Sequence, residues 1–303
     1  KNRIKLKKIA KYVIILERNT VIIMFYESDV ERSIIELLKD CGYSYMDDTN
    51  NWVVERKLDD FINEQLLLDQ LSKINKGVKN RILEEAIRTI KNIDHPSLFE
   101  RNKIFHQYLV DGITIEDFES DVNPLIKLVD FKNIENNVFE VGNQIKFKEL
   151  TNRSTRIPDV IIYINGIPLV VMELKSFESL SGTLLEDAYK QLGSNTENDG
   201  YRYDIPTLFN YNTFCVISDG ANSKVGVITS KFDRYNEWKS VNGEPGFKDN
   251  YTEKLDVLVN GLLKPERLID VIKNNIFFIN KDKSKNIKIM TQYHQYFGVC
   301  KSV

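Results

Sequence analysis

Two carboxylates and a lysine stand close together in the middle of the chain. Asp159 ends Ile157-Pro158-Asp159, and Glu173 and Lys175 flank Leu174 in Glu173-Leu174-Lys175. Mg²⁺ is a hard cation that prefers oxygen ligands and usually takes only one or two protein carboxylates. Asp159 and Glu173 can supply these, and the Leu174 carbonyl can add a third oxygen. Such a cation acts as a Lewis acid on a phosphoryl oxygen. Lys175 beside it can orient or deprotonate the attacking water, or balance charge on the phosphate. The chemistry this set suits is hydrolysis of a phosphodiester. By average residue usage, a Pro-Asp followed at this range by Glu-x-Lys arises in roughly a few chains per hundred, so spacing alone decides little. Context strengthens it. The residues lie on apolar strands, charges ending a buried strand are costly without a partner or a task, and Glu173 and Lys175 share one strand face. From the residues alone, a structural ion pair at a strand end is an equal alternative.

The elements that must position these groups are two strands, Asp159 to Ile164 and Ile167 to Leu174. Asn165-Gly166 between them is a hairpin signal. This sets a geometric condition. A two-residue turn with regular pairing puts Ile164 opposite Ile167 and Asp159 opposite Met172, which sends Glu173 to the other face. One metal then cannot bridge both carboxylates. The chemistry therefore predicts a three-residue loop, Ile164 to Gly166, with Gly166 left-handed as a bulge. Asp159 then pairs with Val171, and Glu173 is its diagonal neighbour.

Around this hairpin the pattern alternates between strands and helices. Ser28 and Asp29 can cap a helix whose apolar face is Val30, Ile34, Leu37 and Leu38, stopped by Gly42. Leu58 to Ile93 reads as helical and Leu98 to Val110 as a further helix. Strands are expected at Val138 to Val141, continuing through Gln144 to Phe147, at Thr213 to Ser218 and at Lys224 to Thr229. A helix is expected over Thr183 to Leu192 and another over Glu266 to Ile272. Asn280 to Lys288 reads as a charged linker. Strands flanked by helices predict an α/β fold, a mixed central sheet with helices on its faces.

Composition narrows the class. The 303 residues carry a formal charge of -2, so any nucleic-acid contact must come from a local basic patch or from another part of an assembly. Lys175, Lys190, Arg153, Arg156 and Arg202 are the candidates for such a patch; scattered surface charges are the equal alternative. Cys41, Cys215 and Cys300 show no paired spacing, which argues against a disulfide framework or a structural zinc site. His95, His106 and His294 are equally scattered and are given no catalytic role. The apolar stretch Val13 to Tyr26 is short and interrupted, so a soluble, cytoplasmic protein is expected.

A broader pattern runs through the chain: Glu27-Ser28-Asp29-Val30-Glu31, Gly42-Tyr43, Asn102-Lys103-Ile104-Phe105-His106, Leu109-Val110-Asp111-Gly112, Asn143-Gln144, Pro158-Asp159, Asn165-Gly166-Ile167-Pro168-Leu169, Glu173-Leu174-Lys175, Asp204-Ile205-Pro206, Ile217-Ser218-Asp219-Gly220 and Tyr293-His294-Gln295-Tyr296-Phe297. In this order it resembles the N-terminal nuclease part of the restriction (motor) subunit of type I restriction-modification enzymes, of the PD-(D/E)xK nuclease superfamily.

That resemblance implies a restriction-endonuclease-like core with added N-terminal helices, cutting double-stranded DNA with Mg²⁺. It implies a complex with methylation and specificity subunits, and ATP-driven translocation in the full-length protein. The chain has no GxxxxGK[ST] loop, and the motor is expected outside it. The expected division is a nuclease domain over 1–264, its core at about 20–40 and 135–235, with 265–303 leading toward the motor. Asp159, Glu173 and Lys175 are the implied catalytic residues. An acidic residue of the first helix assists the metal; Glu31 is preferred over Glu27. The family also places a Gln on the helix after the lysine, with a Tyr four residues later, to position DNA. Gln191 fits, but position 195 is Asn, so either Tyr201 or Tyr203 takes that role or the tyrosine is missing. An inactive module that docks subunits or holds DNA, and a repair exonuclease of the same superfamily, are the rival readings.

Overall fold

The computed structural model describes residues 13–17, 20–24, 27–151, 154–175, 184–193, 199–244, 251–281 and 285–302. A hairpin of β1 (Val13–Glu17) and β2 (Thr20–Met24) precedes α1 (Glu27–Asp40). The helix starts earlier than Ser28 and Asp29 as caps would place it. Val30, Ile34 and Leu38 form its buried stripe, as the spacing predicts. After β3 (Ser44–Met46) come α2 (Asn51–Glu55), α3 (Glu64–Ile74), α4 (Asn80–Lys91) and α5 (Leu98–Asp111). The helical reading of Leu58 to Ile93 is thus corrected to two helices. Gly77, in left-handed backbone with φ 84°, lies in the break between them.

Two small ladders, β4 (Ile113–Thr114) with β5 (Leu125–Ile126) and β7 (Phe147–Lys148) with β8 (Thr155–Arg156), flank the central strand β6 (Phe139–Asn143). Then follow β9 (Val160–Ile164), β10 (Ile167–Leu174), α6 (Leu184–Leu192), α7 (Tyr201–Asp204), α8 (Pro206–Tyr211), β11 (Phe214–Ser218) and β12 (Ser223–Gly226). The C-terminal part holds α9 (Tyr251–Leu258), α10 (Pro265–Asn274), a hairpin of β13 (Ile276–Lys281) and β14 (Lys285–Met290), and α11 (Tyr293–Cys300). The described residues of the linker expected at Asn280 to Lys288 belong instead to this hairpin, Asn280 and Lys281 to β13 and Lys285 to Lys288 to β14, and Lys288 is buried.

Six strands form the central sheet in the order β12-β11-β10-β9-β6-β3. β10 with β11 and β3 with β6 are parallel; the other pairs are antiparallel. The mixed sheet expected from the pattern is present. Every residue of β9 and β10 is buried. That accounts for the continuous apolar runs, since strands covered on both faces need no polar alternation.

The β9–β10 hairpin meets the geometric condition by another route than the one expected. Its turn is the two-residue kind: Asn165 and Gly166 have φ 53° and 80°, and Ile164 pairs with Ile167. The three-residue loop is absent. The extra residue lies instead inside β10, where pairing shifts between Pro168 and Val170, so that Met172 faces Val160. Proline has no N–H for the ladder and sits in sheets mostly at edges or bulges, and Pro168 opens this one. The Leu169 carbonyl accepts from the Thr213 N–H at 2.7 Å and from its hydroxyl at 2.7 Å. One further step along the shifted register brings Asp159 opposite Glu173.

Candidate active site

Asp159 stands immediately before β9 and Glu173 near the end of β10. Their relative exposures, 4% and 0%, put both acids inside the protein. Asp159 Oδ2 accepts from the Leu174 N–H at 2.7 Å, and Oδ1 accepts from Gln144 Nε2 at 3.2 Å. Glu173 Oε1 accepts from Lys175 Nζ at 2.6 Å, and the same amine donates to the Leu174 carbonyl at 3.1 Å. The Lys175 N–H donates to the Ser218 carbonyl at 2.8 Å, which fixes the end of β10 against β11. The local sequence thus builds a rigid floor: an apolar strand runs inward, and the charged residues begin where it ends.

The electrostatics of the pair are unfavourable. Burial pushes the Asp159 carboxyl above its ordinary range, against the Leu174 N–H and Lys175, which favour the charged form. Glu173 is pushed well up, first by burial and then by the charge of Asp159, while Lys175 opposes both. Two buried acids share one amine, and among the described residues no hydrogen bond within normal distance reaches the buried Glu173 Oε2. Such an orphaned acceptor is costly. A hard divalent cation would satisfy it and offset the like charges, so the donor set fits Mg²⁺. Among the described residues no three His, Cys, Asp or Glu side chains gather as a metal cluster. Mg²⁺ does not require that many, since it commonly keeps several waters and one or two carboxylates.

Glu31, on α1, comes to the site but not against either acid. Its Oε2 accepts from Gln144 Nε2 at 2.9 Å and its Oε1 from Asn143 Nδ2. One amide nitrogen thus separates Glu31 from Asp159. The side chain of Glu27 lies outside the described residues. Gln191, on α6, donates from Nε2 to the Tyr201 hydroxyl at 2.7 Å, and that hydroxyl donates to the Ile157 carbonyl at 3.0 Å. Burial, then the charge of Glu173, raises the Tyr201 hydroxyl. Of the two tyrosines, Tyr201 is the one bonded to Gln191 and within electrostatic reach of the acids. Tyr203, 53% exposed, points to solvent. A cavity of about 570 Å³ opens beside this group, lined by Arg156, Lys190, Gln191 and Tyr201 among others.

Among the described residues the expected basic patch does not assemble. Arg156 is ion-paired with Glu149 at 2.7 Å and Asp204 at 2.7 Å. Arg202 is buried, donating to the Ile228 carbonyl and lying 5.9 Å from the Tyr189 ring centre. Lys175 is held by Glu173, Lys190 is exposed on α6, and Arg153 falls outside the described residues. Acidic neighbours and a core position claimed the arginines, and spacing could not reveal either. The three cysteines are free, and no described helix is long and apolar enough to cross a membrane.

Gln144 has a role at the site that residue-type reasoning missed. Asn143-Gln144 offered one signal: a polar pair breaking an otherwise apolar strand.

Comparison with known proteins places the chain in a family. Residues 24–234 match the family described as the type I restriction enzyme R protein N terminus. The chain is 31% identical over 288 residues to the HindI endonuclease subunit of Haemophilus influenzae, covering 92% of this chain and 26% of that protein. It is 31% identical over 295 residues to the putative MjaIXP endonuclease subunit of Methanocaldococcus jannaschii, covering 90% and 27%. The EcoprrI endonuclease subunit of Escherichia coli is 25% identical over 285 residues, covering 88% and 78%. The chain thus spans about a quarter of the length of the first two relatives. The chain belongs to the family of type I restriction enzyme R protein N termini.

Proposed function

We propose that this chain is the DNA-cutting part of a type I restriction endonuclease subunit, hydrolysing phosphodiester bonds of double-stranded DNA with Mg²⁺. One observation carries the reading: two buried acids face each other beside Lys175, and one carboxylate oxygen has no hydrogen-bond donor among the described residues. When bound, Mg²⁺ supplies Lewis-acid polarisation of the phosphoryl group. Asp159 and Glu173 hold it. Lys175, anchored by Glu173, orients the attacking water and balances charge on the phosphate. Gln191 and Tyr201 line the adjoining cavity and position the DNA backbone.

Family membership supports the remaining parts of the proposal. The full-length protein carries an ATP-driven motor that moves DNA before cutting. Methylation and specificity subunits complete the complex and read the target. The formal charge of -2 fits this division, because DNA grip then comes from the assembly. Three free cysteines fit a reducing cytoplasm.

The test uses the complete complex with ATP and Mg²⁺, comparing the parent with Asp159→Ala and Lys175→Ala. Cleavage should fall at least about 100-fold in both while ATP hydrolysis persists, since metal and charge stabilisation supply several kcal/mol. Normal cleavage by the variants would make these residues structural and the nuclease fold here an inactive module.

A further inference from the structure

Gln144 is the residue on which the two outer carboxylates of the site converge. It follows the last residue of β6 and holds its backbone at φ 52°, a conformation that side-chain-bearing residues rarely adopt. Such a conformation persists where the surroundings fix it, and it gathers at functional sites. Here the fixing contacts all lead to the acids. The Gln144 N–H donates to the Asp159 carbonyl at 3.1 Å. The side-chain nitrogen donates to Asp159 Oδ1 at 3.2 Å and to Glu31 Oε2 at 2.9 Å. The orientation of the amide is settled by charge, because its oxygen turned the other way would face two carboxylates.

The consequence for Asp159 is geometric. Leu174 N–H holds Oδ2 and the Gln144 amide holds Oδ1, so the carboxylate cannot rotate. Each oxygen keeps a lone pair for a further partner. Asn143 takes the other oxygen of Glu31, and the Tyr45 hydroxyl holds Asn143 Oδ1 at 2.6 Å. A continuous chain of hydrogen bonds therefore ties α1 to β6 and to the start of β9.

We infer that Gln144 is a positioning residue of the divalent-cation site: its left-handed backbone aims one amide that locks the Asp159 carboxylate and keeps Glu31 one hydrogen bond away. The inference rests on the proposed cation site. A partner of this kind typically changes metal affinity about 10–100-fold when removed.

Mn²⁺, which takes the same oxygen ligands, is the probe. The full-length subunit without DNA is titrated with it, and free Mn²⁺ is counted by electron paramagnetic resonance. Gln144→Gly removes the amide yet accepts the left-handed backbone freely. Its Kd should rise at least about 10-fold, with an unlowered melting temperature. Gln144→Met, which keeps the length without the amide, should show the same rise and serves if the glycine variant folds poorly. Parent-like Mn²⁺ affinity in either folded variant overturns the inference. Asp159→Ala separates the two failures: it should lose binding even where Gln144 proves irrelevant. If Asp159→Ala binds like the parent, or the parent shows no saturable binding, the cation site falls and the inference with it.

Discussion

Two lysines of the molecule, one half-buried and one fully buried, sit in contrasting settings. Lys175 sits at the end of β10 against Glu173, with two carboxylates sharing its charge and one oxygen without a donor among the described residues. Lys288, on β14, is 2% exposed; its hydrogen bonds go to the Asn102 side-chain oxygen and the Asn212 carbonyl, both at 2.8 Å. Asn102, on α5, also donates to the carbonyls of Phe209, Asn210 and Asn212. That network joins the N-terminal helices, the connection into β11 and the C-terminal hairpin, and both side chains are satisfied. Satisfied polar groups in a low-dielectric interior specify how segments meet. The acidic cluster is left incomplete, which costs stability and is useful only if something else completes it. The difference separates architecture from chemistry more clearly than burial or charge alone.

The strongest way to break this contrast is to remove the incomplete charge while keeping its shape. Glu173→Gln preserves volume and turns an acceptor into a donor facing Asp159. Cleavage by the assembled complex should fall at least about 1000-fold, equivalent to about 4 kcal/mol. A modest loss would mean that Glu173 is part of the scaffold.

The contrast is sharpened by pH at the other lysine. Burial lowers the Lys288 amine to about 7. Between that value and the ordinary lysine range near 10, the unfolded chain holds a proton that the folded protein lacks. Stability contributed by this group must therefore rise with pH across that window, by about 2 kcal/mol once water penetration is allowed for. Urea unfolding at pH 7 and pH 9.5 should show that rise, and Lys288→Met should remove it. An unchanged slope would show that the amine titrates normally.

The smallest effect is on the folding energy of the acid pair. Glu173→Gln should raise stability by about 1 kcal/mol, because it removes one of two buried like charges. Chemical denaturation measures it, and a loss of stability would mean that the Glu173–Lys175 pair supports the fold.

Much of this arrangement was legible in the residues. The apolar runs on either side of Asn165-Gly166 specified the hairpin, and the need for two acids on one face required an odd residue. The position of that residue was not legible, because Pro168 in a strand has several outcomes and only the contact of Leu169 with Thr213 selects the bulge. The hairpin at Ile276 to Met290 was missed because charged, Asn- and Lys-rich residues hide its period. Lys288 looked like linker sequence, since nothing local announces that Asn102 waits for it. Gln191 was legible beside a choice between two tyrosines; the one it bonds is the buried Tyr201, which its spacing alone did not reveal.

The most direct test of the central claim is to locate the cation. Crystals of the protein soaked in manganese chloride should show an anomalous peak roughly 2 Å from carboxylate oxygens of both Asp159 and Glu173, the distance expected of small hard cations. The same peak should vanish in Glu173→Gln. A peak elsewhere, or density that ignores both acids, would contradict the assignment of this strand-end pair as the cutting site.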